Sequence, residues 1–265
     1  MSILENPEQF FSQYILLSGI AHLGPEKQGD PALLGKRLGL LNGSSWITAW
    51  SNYFGRLYLP GVHLVNIGNE AIQLNFMQAY AEGKHCPPQT NIDRFVQYAK
   101  DLVELAQVDA VLITCSTMNR SYQQVSRALE PYGVPVIQID MPMMDEAVRY
   151  GGKILVLATH GPTVASTQEL LATTARRQGK NISFDGLTVE EAWRRLEKGD
   201  VAGHNQVLAD VIAAQPTGLY SCVVLAQLSM SAFLFSYPDP QAKFNLHVLT
   251  SGQCGFQYMA KILKE

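Results

Sequence analysis

Three short stretches of the chain have counterparts later in the sequence, in the same order and at nearly the same spacing. "RLGLLNGSS" (37–45) lines up with "ILVLATHGP" (154–162), "AVLITCSTMN" (110–119) with "CVVLAQLSMS" (222–231), and "PVIQIDMP" (135–142) with "NLHVLTSG" (245–252). Their starts lie 73 and 25 residues apart in the first half and 68 and 23 in the second. Most of them open on an apolar run and end in small polar residues. Such a repeat demands two copies of one plan of strands and crossings, which few folds satisfy.

The apolar runs have the length and content of strands. Seven segments qualify: "RLGLL" (37–41), "VHLVNI" (62–67), "AVLITC" (110–115), "PVIQI" (135–139), "KILVLAT" (153–159), "CVVLAQ" (222–227) and "NLHVLT" (245–250). Several are apolar without alternation, as strands covered on both faces are. Between them lie segments of helical period with capping residues at their starts, among them "NIDRFVQYAKDLVELAQ" and "TVEEAWRRLEK". This alternation predicts an α/β fold of two pseudo-symmetric lobes, 36–150 and 151–251, each a parallel sheet flanked by helices. Residues 1–35 read as a helical extension, with Asn6 as cap, Pro7 at the first position and Gly19 past the end. "GPEKQGDP" follows as a loop. Residues 252–265 read as a last helix that packs back on the first lobe.

In open parallel sheets, ligands bind beyond the carboxyl ends of the strands. Two facing lobes would line a shared cleft with "NGSS", "CSTMN", "THGPT" and "QLSMS". Cys115 ends the third strand where a helix should begin, so free backbone N–H groups there would favour its thiolate. The competing reading is a buried cysteine that merely finishes a strand. Ser116, Thr117 and Asn119 offer hydroxyl and amide groups to a carboxylate, as do Asn42 and Ser44 after the first strand and Thr159 and Thr163 in the second lobe. The same residues also suit helix capping. Gln227 stands where the repeat would place a second Cys115, with Ser229 two residues on. It exchanges no proton near neutral pH but can donate and accept hydrogen bonds. His160, in the lobe opposite Cys115, is the candidate acid/base partner. Cys86, Cys222 and Cys254 read as loop, strand and helix-start residues. Asn69 and Glu70 read as a helix start, and Arg176–Arg177 and Arg194–Arg195 as solvated helix faces.

Composition removes several alternatives. The chain has 265 residues, 47% of them apolar and 16% charged, with a formal net charge of -3. That balance calls for neither nucleic acid nor an anionic membrane as partner. "VVLAQLSMSAFLF" is too short and too polar to span a bilayer, and the first residues lack the pattern of a secretory signal. Four cysteines without framework spacing point to a reduced, cytoplasmic protein. No phosphate loop, dinucleotide fingerprint or zinc spacing occurs, so no cofactor and no metal site is predicted.

The repeat, "CSTMN" after the third strand, "HGPTV" after the first strand of the second lobe and the closing "LTSGQCGF" together resemble the aspartate/glutamate racemase superfamily, over roughly residues 36–265. That group includes amino-acid and hydantoin racemases, maleate isomerase and arylmalonate decarboxylase. The resemblance implies one cysteine per lobe, acting as base and acid on either face of a carbon next to a carboxylate, and it implies a homodimer. Cys115 stands at the first cysteine position. Gln227 stands at the second, with Leu228 where a threonine commonly follows. The expected activity is cofactor-independent, thiol-assisted chemistry on a small carboxylate or amino acid: racemisation, isomerisation or decarboxylation. With one thiol, two-sided racemisation needs His160 or another group, whereas one-sided protonation does not. The alternative is an inactive carboxylate-binding protein that kept the cleft.

Overall fold

The computed structural model describes residues 6–18 and 29–265. Gly19 and residues 24–28 of the "GPEKQGDP" loop lie outside the described residues. The chain divides into two compact units. One gathers the residues up to Thr114, Arg120–Ile137 and Met259–Glu265; the other gathers Cys115–Asn119 and Gln138–Tyr258.

In the first unit, helix α1 (Pro7–Ser18) starts as its cap demands: the Asn6 side chain accepts from the Gln9 N–H at 3.1 Å. The chain then alternates strands and helices: β1 (Arg37–Asn42), α2 (Ile47–Tyr58), β2 (His63–Gly68), α3 (Glu70–Ala81), α4 (Gln89–Glu104), β3 (Ala110–Ile113), α5 (Tyr122–Leu129) and β4 (Val136–Gln138). The sheet order is β2-β1-β3-β4, and β1 pairs in parallel with both β2 and β3. Leu38, Leu40 and Leu41 of β1 are fully buried, as a run covered on both faces should be. Gly39 between them packs closely against α4 and the residues after it. A Cβ there would lie 3.0 Å from Leu102 Cδ1 of α4 and 3.3 Å from Val108 Cγ2, so those side chains would have to give by a few tenths of an ångström.

The second unit repeats the plan. It contains α6 (Met141–Tyr150), β5 (Gly152–Ala158), α7 (Gly161–Arg177), β6 (Ile182–Thr188), α8 (Glu190–Leu196), α9 (Val201–Ala213), β7 (Cys222–Leu225), the short helices α10 (Phe233–Ser236) and α11 (Pro240–Phe244), and β8 (His247–Thr250). Helix α12 (Ser251–Ile262) starts here, and its residues from Met259 on group with the first unit. The order β6-β5-β7-β8 matches that of the first sheet, and β5–β6, β5–β7 and β7–β8 are parallel. The pleat of β5 sends Ile154, Val156 and Ala158 into one buried cluster with α6 and α7. Leu155 and Leu157 go into another with α8 and α9. The α/β expectation of two parallel sheets flanked by helices therefore holds.

All seven predicted strands form, but an eighth, β6, was not expected. Its sequence "ISFDGLT" carries Asp185 and Gly186, residue types depleted in strands. It is an edge strand whose residues stay partly or largely exposed, so no continuous apolar run marks it. Asp185 is paired with Lys153 at 2.6 Å and accepts from the Tyr220 hydroxyl at 2.6 Å. At Gly186 an added Cβ would run into Val164 and Gln168 of α7.

Candidate active site

In each sheet the strand order reverses between the first and third strands, the place where open α/β sheets present ligand sites. The segments after β1, β3, β5 and β7 are the ones the sequence singles out.

After β1, Asn42 is fully buried and its hydrogen-bonding capacity is filled. Its Oδ1 accepts from Ser51 Oγ at 2.7 Å and from Thr114 Oγ1 at 2.6 Å. Its Nδ2 donates to Leu40 O at 3.3 Å and to Asn66 Oδ1 at 3.1 Å. An asparagine side chain can make four such bonds, so Asn42 ties β1 to β3, β2 and α2 and has nothing left for a ligand. Ser44 is also buried. The neighbouring Ser45 gives its N–H, at 3.0 Å, and its hydroxyl to Glu70. Asn69 caps α3 by accepting from Ala71 N, as a helix start should.

Cys115 opens the turn Ser116–Ser121. It keeps part of its surface exposed, and its Sγ lies 3.2 Å from Thr117 Oγ1. Burial of the sulfur by surrounding protein pushes the thiol above its ordinary pKa. The Thr117 hydroxyl and the Met118 and Thr117 N–H groups oppose this and lose, while the charge of Asp140 adds to the rise. The thiolate expected from a helix start is therefore not the resting form. The turn is short and tight, and its few donors are outweighed by desolvation.

Asp140 was not anticipated. It lies two residues past the end of β4, buried, with its carboxyl pushed up to about 6 by desolvation. Ser116, Asn119 and Ser251 act the other way. Asn119 Nδ2 donates to Asp140 Oδ2 at 2.6 Å, and Gln138 Nε2 donates to Asn119 O at 2.6 Å. Gly255 lets α12 approach: a Cβ there would lie 2.8 Å from Ile139 O. The signal in the sequence was an acidic residue within the third repeated stretch, at a strand end where the other half has Thr250.

The second-half set lies after β5 and β7. Gln227 Oε1 accepts from Thr159 N at 2.6 Å and from Thr159 Oγ1 at 2.8 Å. Thr159 and Gln227 thus tie the first and third strands of their sheet, as Asn42 and Thr114 do in the other. With its oxygen committed, partly exposed Gln227 offers Nε2 as a fixed donor. Ser229 is buried in the turn Leu228–Ala232, and Thr163 in the first turn of α7, where its N–H donates to His160 O at 3.1 Å. His160 precedes α7 with its ring edge-on to Trp193, 4.8 Å between centroids. Burial lowers its pKa more than Glu190 raises it, so it is neutral at pH 7. Its ionic neighbour is Glu190 and that of Cys115 is Asp140; no hydrogen bond joins His160 to Cys115 among the described residues.

Burial holds the other strand and helix thiols neutral, Cys222 at about 12 and Cys254 at about 11. Arg177 pairs with Asp145, and Arg194 and Arg195 pair with Glu190, Glu191 and Asp200 on exposed surface. Among the described residues no group of three or more His, Cys, Asp or Glu could hold a metal ion, and no helix is long and apolar enough to cross a membrane.

A family model described as Asp/Glu/Hydantoin racemase matches residues 77–259. A search of curated proteins finds no sequence that matches the chain. Several solved structures share the fold. The aspartate racemase of Picrophilus torridus has a TM-score of 0.64 at 15% identity, with 86% of this chain and 94% of that one covered. An aspartate racemase homologue from Pyrococcus horikoshii OT3 has a TM-score of 0.63 at 15% identity, covering 87% and 100%. The glutamate racemase of Francisella tularensis in complex with D-glutamate has a TM-score of 0.60 at 14% identity, covering 86% and 81%.

Proposed function

Because the chain belongs to the Asp/Glu/Hydantoin racemase family, we propose that it is a racemase-like enzyme whose Cys115 transfers a proton at the carbon next to a carboxylate of a small acid or amino acid. The observation that carries this reading is the state of Cys115: partly exposed, at a strand end, beside the Thr117 hydroxyl, and held as the neutral thiol. A neutral thiol is a proton donor. Where the substrate's C–C bond to a carboxylate breaks and carbon dioxide leaves, the thiol would deliver its proton to the carbanion or enediolate carbon left behind, become a thiolate stabilised by Thr117 and the turn N–H groups, and recover a proton from water. Gln227 Nε2, with its oxygen fixed by Thr159, would donate to the substrate carboxylate or to the charge developing on it. One-sided protonation suits a chain with glutamine in place of the second thiol. No cofactor enters the scheme.

The test is incubation with a panel of small carboxylates and amino acids in heavy water, followed by NMR. Deuterium uptake or consumption of one member, abolished in Cys115→Ala, is the expected outcome. Full turnover in Cys115→Ala would sink the reading. The same Gln227 replacement favours a second reading, a protein that binds small carboxylates without reacting. It predicts ligand-induced thermal stabilisation with no turnover for any member of the panel. The homodimer implied by the resemblance belongs with the first reading and is checked by light scattering.

A further inference from the structure

Behind the Cys115 turn lies a cluster of polar side chains from three elements. Ser116 and Asn119 come from the turn, Gln138 and Asp140 from the end of β4 and the residues after it, and Ser251 from the start of α12. Asn119 is 6% exposed, Gln138 7%, Asp140 2% and Ser251 0%. Three acceptor atoms here, Asn119 Oδ1, Gln138 Oε1 and Asp140 Oδ1, have no hydrogen-bond partner among the described residues, while the Ser116 and Ser251 hydroxyls bear on the carboxyl. All three can only accept while the carboxyl is ionised. The cluster is short of donors, and the one group in it that can gain a donor by titrating is the Asp140 carboxyl.

The cluster is joined to the thiol by the shortest route available. Ser116 follows Cys115 in the chain, and Asn119 closes the same turn and grips Asp140 Oδ2 at 2.6 Å. We propose that Asp140 is a positioning residue for Cys115: through Asn119 and Ser116 it holds the turn that carries the thiol, and its charge makes the thiolate harder to form. The inference rests on the thiol chemistry proposed above and names what regulates it. As a carboxylate, Asp140 adds to the desolvation that keeps Cys115 a thiol and a proton donor. When Asp140 takes up a proton from solvent, Oδ1–H becomes the missing donor and the thiolate loses a like-charged neighbour.

The surroundings leave few competing charges. Ser116, Asn119 and Ser251 bear on the carboxyl, and none is ionised. On α6, Asp145 turns to Arg177 and Glu146 to Arg149. On α12, Cys254 responds to Glu146 and Arg149. The carboxyl titrates at about 6, a range in which the thiol can be probed.

The experiment follows the rate at which N-ethylmaleimide labels Cys115, resolved by peptide mass spectrometry, from pH 5 to pH 8.5, without substrate. In the wild-type protein the logarithm of the rate should climb with pH, flatten near pH 6 as Asp140 ionises, and climb again. In Asp140→Asn, whose amide supplies the missing donors, the flattening should vanish and labelling at pH 8 should be about threefold faster or more, the equivalent of half a pKa unit. Asp140→Glu should bring the flattening back, and Cys86 in the same molecules should label unchanged. A straight wild-type profile of unit slope through pH 6 overturns the proposal even if the variant fails to fold. So does a folded Asp140→Asn that labels within a factor of about two of wild type. Because no turnover is measured, an inactive protein would refute the proposed function and leave this result standing.

Discussion

Replacing Asn42 by alanine separates its architectural role from ligand binding, and the structure sets the size of the effect. The substitution deletes bonds to Ser51, Thr114, Asn66 and Leu40 at once. Their fates differ. Thr114 Oγ1 can fall back on Leu41 O, 3.2 Å away, and partly exposed Asn66 can turn to water. Each then loses only a net bond, about 1 kcal/mol. Ser51 is fully buried and its hydroxyl has no second partner of that kind among the described residues, so once orphaned it costs about 1–3 kcal/mol. The total is about 3–5 kcal/mol of lost stability in the first unit. Urea denaturation followed by tryptophan fluorescence measures it, since Trp46 and Trp50 both belong to that unit. Asn42→Ala should also soften the effect of Ser51→Ala, because the second change removes the orphan created by the first; a coupling of about 1–2 kcal/mol is expected. Should Asn42→Ala lie within about 1 kcal/mol of wild type, or the pair prove additive, the buried network would not be the role of this residue.

Asp140 makes a pH-dependent prediction for stability. Its folded pKa of about 6 is raised above the ordinary 3.8, so its contribution is intact below pH 4 and is lost as pH rises through 6. Asp140→Asn should therefore be more stable than wild type at pH 7.5, by at most about 3 kcal/mol, with the gain vanishing near pH 4; an equal difference at both pH values in thermal melts would contradict it. His160 is held below its ordinary pKa by burial, so proton NMR should place its titration under that of a free histidine, and Trp193→Ala should raise it. Gln227→Leu removes both the acceptor for Thr159 and the free donor. It should weaken carboxylate binding about tenfold in calorimetric titration, the loss expected of one hydrogen bond to a charged group, and unchanged affinity would remove Gln227 from the site.

The α/β class, the seven apolar strands and the likeness of the two halves are legible in the chain before it folds. Those features follow from local patterning: a run such as "ILVLA" has to be covered on both faces, and one strand–helix plan used twice leaves its mark twice. The sequence also marked Cys115, Asn119, Thr159 and Gln227, because small polar residues at strand ends stand out against apolar runs. Tertiary structure decided what each of them does. Whether Asn42 faces a ligand or spends its amide on neighbours depends on Ser51, Thr114 and Asn66, which come from separate parts of the chain. The edge strand β6 forms because β5 offers hydrogen bonds along its length, which compensates for a sequence that is poor in strand formers. Cys115 is a resting thiol because desolvation, with a small addition from the Asp140 charge, outweighs the Thr117 hydroxyl and the nearby N–H groups. Burial and the distance to a charge belong to the folded chain, and only it sets the sign of such a balance.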